Sequence, residues 1–441
     1  MTTDAVALEI ASPSGGSKAA GSRWSRTFLT LTVGQAVAMP VRFVGLGLVA
    51  RALEPGAFGV LSVAVICSTY FSTGAYAGID VIGMREAAAG VPGMLSRVLR
   101  LRAAAGLSLL VVLAGVIAVL PLSKDRHQPL LVGLLILVPL SVDTRWFLVG
   151  RQRCVAVAVS DVVSAVGFLA ATAVFVHRPH DVVAAVAVTI GAEAARVLVL
   201  LPAAYRLARK PHPDAPPAHL DASHSMSRIA RRSLLVSGSA LLRSAVITLD
   251  VVLVAAFLGR HDAGQYAAAS RFYVVGLLLL GLCWQAFLPE AVRSVRAGAD
   301  TKKLVHTFRL RALILFSPLV VIAIAVTPFA FPLLLGDDYR VAGQLFSIYA
   351  VGFAAVAANG LLIQLAIAYD IQGRLLPVIA FSLVVDLTLL GVLLPAIGLW
   401  GAPIAAVVSE FAALAGTYLV VRPALNAAPL VARAPSAAMP R

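Results

Sequence analysis

Residues Ser237–Tyr273 read SGSALLRSAVITLDVVLVAAFLGRHDAGQYAAASRFY. An apolar run of membrane-spanning length carries Arg243 and Asp250. A short polar turn follows from Gly259 to Gln265, and a second apolar run opens with Arg271 near its start. An ionisable side chain at the centre of a bilayer costs about 2.5–3.5 kcal/mol on insertion scales. Spanning requires neither Arg243 nor Asp250. Facing lipid, they would leave the helix barely able to insert. Facing a watery cavity, they cost less and become available to a charged cargo. Seven residues is close to two helical turns, so the two share one face, which favours the cavity.

The whole chain extends this pattern. Its 441 residues are 60% hydrophobic and only 13% charged, against roughly 25% charged in a soluble domain. Twelve apolar spans are predicted: Phe28–Ala50, Val60–Ile79, Ala103–Leu122, Leu130–Val149, Val155–Val176, Val182–Tyr205, Leu234–Gly259, Tyr266–Pro289, Ala312–Leu335, Gly343–Tyr369, Leu375–Leu394 and Pro403–Val421. Each is near the roughly 20 residues needed to cross the hydrocarbon core. The fold class is therefore an all-α polytopic membrane protein.

The net charge of +15 follows from orientation rather than from nucleic acid. With the N-terminus in the cytoplasm and Arg145 counted at the inner surface, 26 of the 36 Lys and Arg fall on the cytoplasmic side. Six lie outside, and Arg42, Arg196, Arg243 and Arg271 lie within spans. That asymmetry sets the orientation, and an even span number puts both termini inside.

The chain divides at Arg206–Ser233, rich in Pro, His and Arg. The predicted organisation is a disordered cytoplasmic N-terminus over 1–27, a six-helix bundle over 28–205, a cytoplasmic linker over 206–233, a second six-helix bundle over 234–422 and a cytoplasmic tail over 423–441. The halves echo each other. Gly59 precedes a span followed by Arg85-Glu86, and Gly264 precedes a span closing at Pro289-Glu290. Both glycines sit at the outer turn between the first two spans of their half, as in parallel repeats. Cys67, Cys154 and Cys283 lie in or beside apolar runs and read as small core residues. The eight histidines show no metal-site spacing. No phosphate-binding loop occurs, and neither a metal nor a cofactor is expected.

Three stretches then carry a resemblance. They are GQAVAMPVRFVGLGLVARALEPGAFGVLSVAV at Gly34–Val65 with Met84-Arg85-Glu86 after it, LDVVLVAAFLGRHDAGQYAAASRF at Leu249–Phe272, and LLLGDDYRVAG at Leu333–Gly343. With these, the chain resembles the Wzx-type oligosaccharide flippases of bacterial polysaccharide export. That family belongs to the superfamily that also holds multidrug extruders and lipid II flippases. The resemblance implies two six-helix bundles around a central cavity that opens alternately to each side of the bacterial cytoplasmic membrane. It implies a polyprenyl-diphosphate-linked oligosaccharide as cargo, turned from the inner to the outer leaflet, and a proton or sodium gradient as the drive. It also implies a working monomer among membrane lipids, able to associate with polysaccharide polymerase machinery.

The residues support such a cargo independently. A diphosphate-sugar head is anionic and hydrated and needs fixed cations along a wet path. Arginine stays charged, and its fork fits phosphate oxygens. At 1.5 Å per residue Arg243 lies roughly 14 Å from the inner edge and Arg42 roughly 21 Å, beside Pro40. Arg271 lies near the outer edge. Arg196 lies nearer the inner one, three residues from Glu193, and the two are placed to pair. Arg42, Arg243, Arg271 and Arg196 are the candidate head-group residues, each open to the plainer role of a structural ion pair. The intraspan carboxylates Asp161, Glu193, Asp250, Asp386 and Glu410 are the candidates for ion coupling or gating, since a carboxyl within a span can take up and release a proton. Asp250 could instead pair with Arg42 and gate the path, or hold it permanently.

A drug or metabolite antiporter of the same superfamily is the main alternative, because five intraspan carboxylates against four arginines leave the sign of the cargo open. A membrane polymerase or ligase is a second. Such enzymes need a sizeable outer loop, and every predicted outer loop here is short, so no catalytic residue is expected.

Overall fold

The computed structural model describes residues 17–119, 121, 124–210, 226–296, 321, 324–327, 329–369 and 371–426. Among these residues the protein is helical throughout and contains no strand. The first helix, α1 (Ser17–Ala88), is 72 residues long and is broken at Glu54, whose φ of 60° and ψ of 165° leave the helical region. The cause is local. Pro55 disfavours helical geometry at the residue before it, so the chain turns there and yields two antiparallel arms, 17–53 and 55–88.

α2 (Met94–Val119), α6 (Cys154–Phe175) and α7 (Val182–Ala208) complete the long helices of the first half. The second half holds α8 (Met226–Phe257), α9 (Arg260–Arg296), the helical residues 329–335, α10 (Arg340–Ala368), α11 (Leu376–Ile397) and α12 (Gly401–Asn426). Among the described residues, seven stretches are long and apolar enough to cross a membrane. Two of them, Val33–Ala88 and Gln372–Asn426, are 56 and 55 residues long and each holds two of the expected spans. The ninth expected span, 312–335, falls partly outside the described residues, as do 211–225 of the expected linker.

Two expectations need correction. The fourth span is not continuous over Leu130–Val149. It is built of α3 (Lys124–Leu134), α4 (Leu137–Ser141) and α5 (Arg145–Gly150). The polar run Asp143-Thr144-Arg145 breaks it, because its charged side chains hydrogen-bond and pair sideways with neighbouring helices. The helix of α1 begins at Ser17, within the stretch expected to be disordered. Apart from these two, α8 begins at Met226 and α12 runs on to Asn426, so helix continues into the ranges expected as linker and tail without contradicting either. Helical hydrogen bonding extends past the apolar stretch in each case, since polar residues at a membrane surface can continue a helix.

The two halves meet at one end of the molecule, here termed the distal end, where α1 turns at Glu54 and α8 passes into α9 through Gly259 (φ 93°). Here the matching glycines cross. A Cβ on Gly59 would fall on the Arg260 carbonyl oxygen, and one on Gly264 would fall on the Pro55 carbonyl oxygen. Each contact reaches the residue four before the partner glycine, so the two helix starts approach as two-fold mates. Only a residue without a side chain permits such backbone contact.

Tyr339 closes the same end. It is fully buried, donates to the Ala50 carbonyl at 3.1 Å and packs edge-on against Phe58. Gln265 clamps the turn beside it, donating to the Asp338 carbonyl at 2.6 Å and accepting from the Ala342 amide at 3.0 Å. Farther along, the second arm of α1 stays against α8. Gly74 abuts Leu241, and the Gly78 amide donates to Ser237 at 3.1 Å.

Candidate functional site

Arg42 lies on the first arm of α1. On that arm Val33, Val37, Val44 and Leu48 are exposed and form one stripe. At 100° per residue Arg42 points roughly opposite to that stripe. It reaches α6, donating to Ser164 Oγ at 2.7 Å, and α7, where Glu193 Oε1 lies 3.7 Å away. Its side chain is nonetheless 46% exposed, so its exposure faces the interior of the helix assembly and not the lipid side.

The charges continue from there. Arg196 lies 2.5 Å from Glu193 Oε2, an ion pair whose angle is not that of a hydrogen bond, and 3.1 Å from Asp143. Asp143 stands in the break between α4 and α5 and also accepts the Arg145 amide at 2.8 Å. The Arg145 side chain crosses to Asp161 on α6 at 3.1 Å, and Gln35 Nε2 donates to the same carboxylate at 2.8 Å. Three arginines thus meet three carboxylates. Arg102 braces the break, pairing with Asp80, stacking 4.4 Å from the Tyr76 ring and donating to the carbonyls of Leu140 and Ser141. It adds donors at the carbonyls beside the break, where the helix is interrupted.

The second half is built differently. Asp250 on α8 accepts from Tyr266 Oη at 2.8 Å, and Tyr266 is joined to Tyr349 by a very short hydroxyl contact. Tyr273 stacks on Tyr349 with ring centroids 4.6 Å apart, and its hydroxyl lies 3.5 Å from Glu410 on α12. The carboxyls of Asp250 and Asp386, the latter on α11, lie within hydrogen-bonding reach of each other. Asp250 Oδ1 and both Asp386 oxygens are buried without a donor. Two carboxylates are both acceptors, so the contact is satisfied only when a proton or a cation lies between them. Among the described residues no arginine or lysine pairs with any of these three acids. No group of three or more His, Cys, Asp or Glu among those residues is arranged to hold a metal ion.

Arg271 joins the halves. From α9 it donates to Ser62 Oγ on the second arm of α1 at 3.1 Å, and its guanidinium lies 4.5 Å over the Phe58 ring. Its Nη1 is buried without an acceptor, and it pairs with no carboxylate among the described residues. Nearby, Phe43 meets Phe272 edge-on at 4.6 Å, so Arg42 and Arg271 each adjoin in sequence the ring that ties α1 to α9.

The expected pairing of Asp250 with Arg42 does not occur. Tyr266 takes the carboxylate, and Glu193 and Ser164 take the arginine. The Arg196–Glu193 pair is present as read from the spacing. The side chain of Arg243 lies outside the described residues. Sequence reasoning gave no functional role to Tyr266, Tyr273 or Tyr349, whose meeting across helices patterning along one chain does not mark. It also expected one unbroken helix through Asp143-Thr144-Arg145, although the polar triplet within an apolar run was a usable sign of a break.

A family profile described as polysaccharide biosynthesis protein matches residues 25–295. The chain matches no curated protein in sequence at a significant level. Its fold is similar to that of a multidrug resistance MATE-family transporter of the MOP superfamily in an inward-facing conformation. The TM-score is 0.68 at 13% identity, covering 90% of this chain and 98% of that one. It is also similar to the lipid II flippase MurJ in an inward closed conformation, with TM-score 0.63 at 10% identity, covering 89% and 87%. A third similar structure is a MOP-superfamily transporter from Pyrococcus furiosus described as having a binding pocket of reverse polarity. There the TM-score is 0.56 at 15% identity, covering 93% and 96%. At these identities the likeness establishes the fold alone: a multi-pass helical membrane protein built like these structures.

Proposed function

The chain belongs to the polysaccharide biosynthesis protein family, and from that premise we propose that it flips a polyprenyl-diphosphate-linked oligosaccharide across the bacterial cytoplasmic membrane. The bundles over 28–205 and 234–422 rock against each other, with both termini cytoplasmic and the distal end outward. A proton or sodium ion drives the cycle at the Asp250–Asp386 pair.

One observation carries the reading: the buried guanidinium of Arg271 at the seam, with Nη1 unpartnered and no carboxylate beside it among the described residues. A buried cation without a counter-ion is costly, and a phosphate oxygen would supply the missing acceptor. Arg42, half exposed on the inward face, offers a second contact nearer the cytoplasm. Opening the distal end requires the Gly59–Gly264 crossing to part and the Arg271–Ser62 bond to break. A diphosphate on Arg271 replaces that bond as it breaks. A cation between Asp250 and Asp386 neutralises the second half in one state of the cycle and links gradient to motion. The similarity to a lipid II flippase fold fits this cargo class.

The MATE-like fold and the uncompensated second-half acids favour one alternative, export of a cationic drug. Arg271 opposes it, because a cation crossing the seam would meet a fixed positive charge. Purified protein in vesicles decides between the two. A fluorescent lipid-linked oligosaccharide should flip with the wild type and stop flipping with Arg271→Ala and with Arg42→Ala. Equal flipping by those variants, or uptake of a cationic dye with no lipid flipping, would sink the proposal.

A further inference from the structure

Away from the arginines and the acid pair, the distal end holds a cavity of about 420 Å³. Its walls come from four elements. Glu54 stands at the turn of α1, Gln128 and Pro129 on α3, Pro179 and His180 on the approach to α7, and Arg260 at the start of α9. The four polar side chains are a carboxylate, an amide, an imidazole and a guanidinium. All four are exposed, and none hydrogen-bonds another described residue. Glu54 is moreover held at positive φ, a conformation that persists only where the surroundings impose it.

The mixture selects a ligand class. Glu54 disfavours an anion, Arg260 disfavours a cation, and four polar groups disfavour a hydrocarbon. A sugar ring meets all of them. Its hydroxyls donate to the carboxylate and the amide oxygen and accept from the guanidinium and the imidazole, while its C–H faces lie on proline and valine. The volume falls within the about 300–1,000 Å³ usual for small-ligand sites.

The position selects a consequence. Three walls belong to the first half and one residue, Arg260, to the second. The Arg260 carbonyl is the atom that Gly59 abuts in the distal crossing. Parting the crossing therefore removes Arg260 from the cavity. A ligand held from both sides binds the closed distal end alone and shifts the population towards it.

We propose that this cavity is a saccharide site on the distal face, distinct from the arginine-lined route, and that a sugar bridging Glu54 and Arg260 holds the distal end shut. The proposal rests on the flippase reading for its source of sugar, the glycan chains that accumulate on the side of release.

The test uses full-length protein in nanodiscs with three free neutral probes: glucose, galactose and N-acetylglucosamine. Saturation-transfer NMR should show binding of at least one of them. Arg260→Ala and Glu54→Gln should each weaken it about tenfold, the scale of one good hydrogen bond lost, and Arg42→Ala should leave it intact. Spin labels at Arg51→Cys and Leu333→Cys, with the native cysteines replaced, straddle the seam where Arg51 donates to the Leu333 carbonyl at 3.0 Å. Added sugar should enlarge the short-distance population. Four results would each overturn the proposal: no saturation transfer to any probe, full binding by both pocket variants, abolished binding in Arg42→Ala, or a spin distance that sugar does not move. Flipping by the Arg260→Ala protein separates the two readings. If it persists in a wild type that binds no sugar and in the variant alike, the pocket fails and the flippase stands. If wild-type protein binds sugar at the pocket but flips nothing, the flippase reading fails instead.

Discussion

Asp143, Asp161 and Glu193, in the first half of the chain, each lie within 3.1 Å of an arginine. Asp250, Asp386 and Glu410, in the second half, lie among tyrosines and one another, with donor-free buried oxygens on Asp250 and Asp386. The same residue type therefore does opposite work in two parts of one fold. Paired with arginine inside hydrocarbon, a carboxylate is fixed, and removing its partner leaves a bare charge. Unpaired among hydroxyls, it is left wanting a proton or a cation, and its state answers to the medium. On the proposed function, the first half holds shape and presents Arg42, and the second senses an ion.

The sharpest way to break this contrast is to remove one arginine from the first half. Arg196→Ala leaves Asp143 without its arginine and Glu193 with only the longer contact to Arg42, and should lower stability by about 3–5 kcal/mol, read as a fall in the apparent Tm of the purified protein. An unchanged Tm would mean that the pairs are not structural. Asp386→Asn should move the other way. It gives Asp250 a donor that needs neither a proton nor a cation, so stability should rise by about 1.5–3 kcal/mol where the pair is otherwise unbridged, while the response to an ion gradient disappears. A fall in Tm there would erase the difference between the halves.

The crossing at Gly59 and Gly264 belongs equally to both halves. An added methyl at either should cost about 1–3 kcal/mol, and the double substitution should cost less than the sum because the two share one contact. Strict additivity would show that the glycines do not meet. The mildest change is Arg42→Lys. It keeps the charge and loses the Ser164 hydrogen bond, a loss of about 0.5–1.5 kcal/mol, with slower flipping at normal protein levels.

Much of this was legible before any coordinates. The apolar runs established the helical class, and Gly59 and Gly264, matched across the halves in sequence, lie against each other in the structure. Arg196 and Glu193, three apart on one helix, paired as their spacing requires. What could not be read was partner choice between distant helices. Arg42 and Asp250 occupy matching spans and carry opposite charge, yet the pairing depends on which neighbours are closer, and Ser164, Glu193 and Tyr266 are. The broken fourth span was missed for a related reason: hydropathy averages over Asp143-Thr144-Arg145 and cannot see that Arg196 and Asp161 wait on either side.

The division of labour between the halves meets its most direct test in vesicles that carry purified protein and a fluorescent lipid-linked oligosaccharide, with and without an imposed proton or sodium gradient. The account expects wild-type flipping to accelerate under one of the two gradients, and Asp386→Asn protein to flip at one rate whatever the gradient. Wild-type flipping indifferent to both gradients, or full acceleration retained by Asp386→Asn, would contradict it.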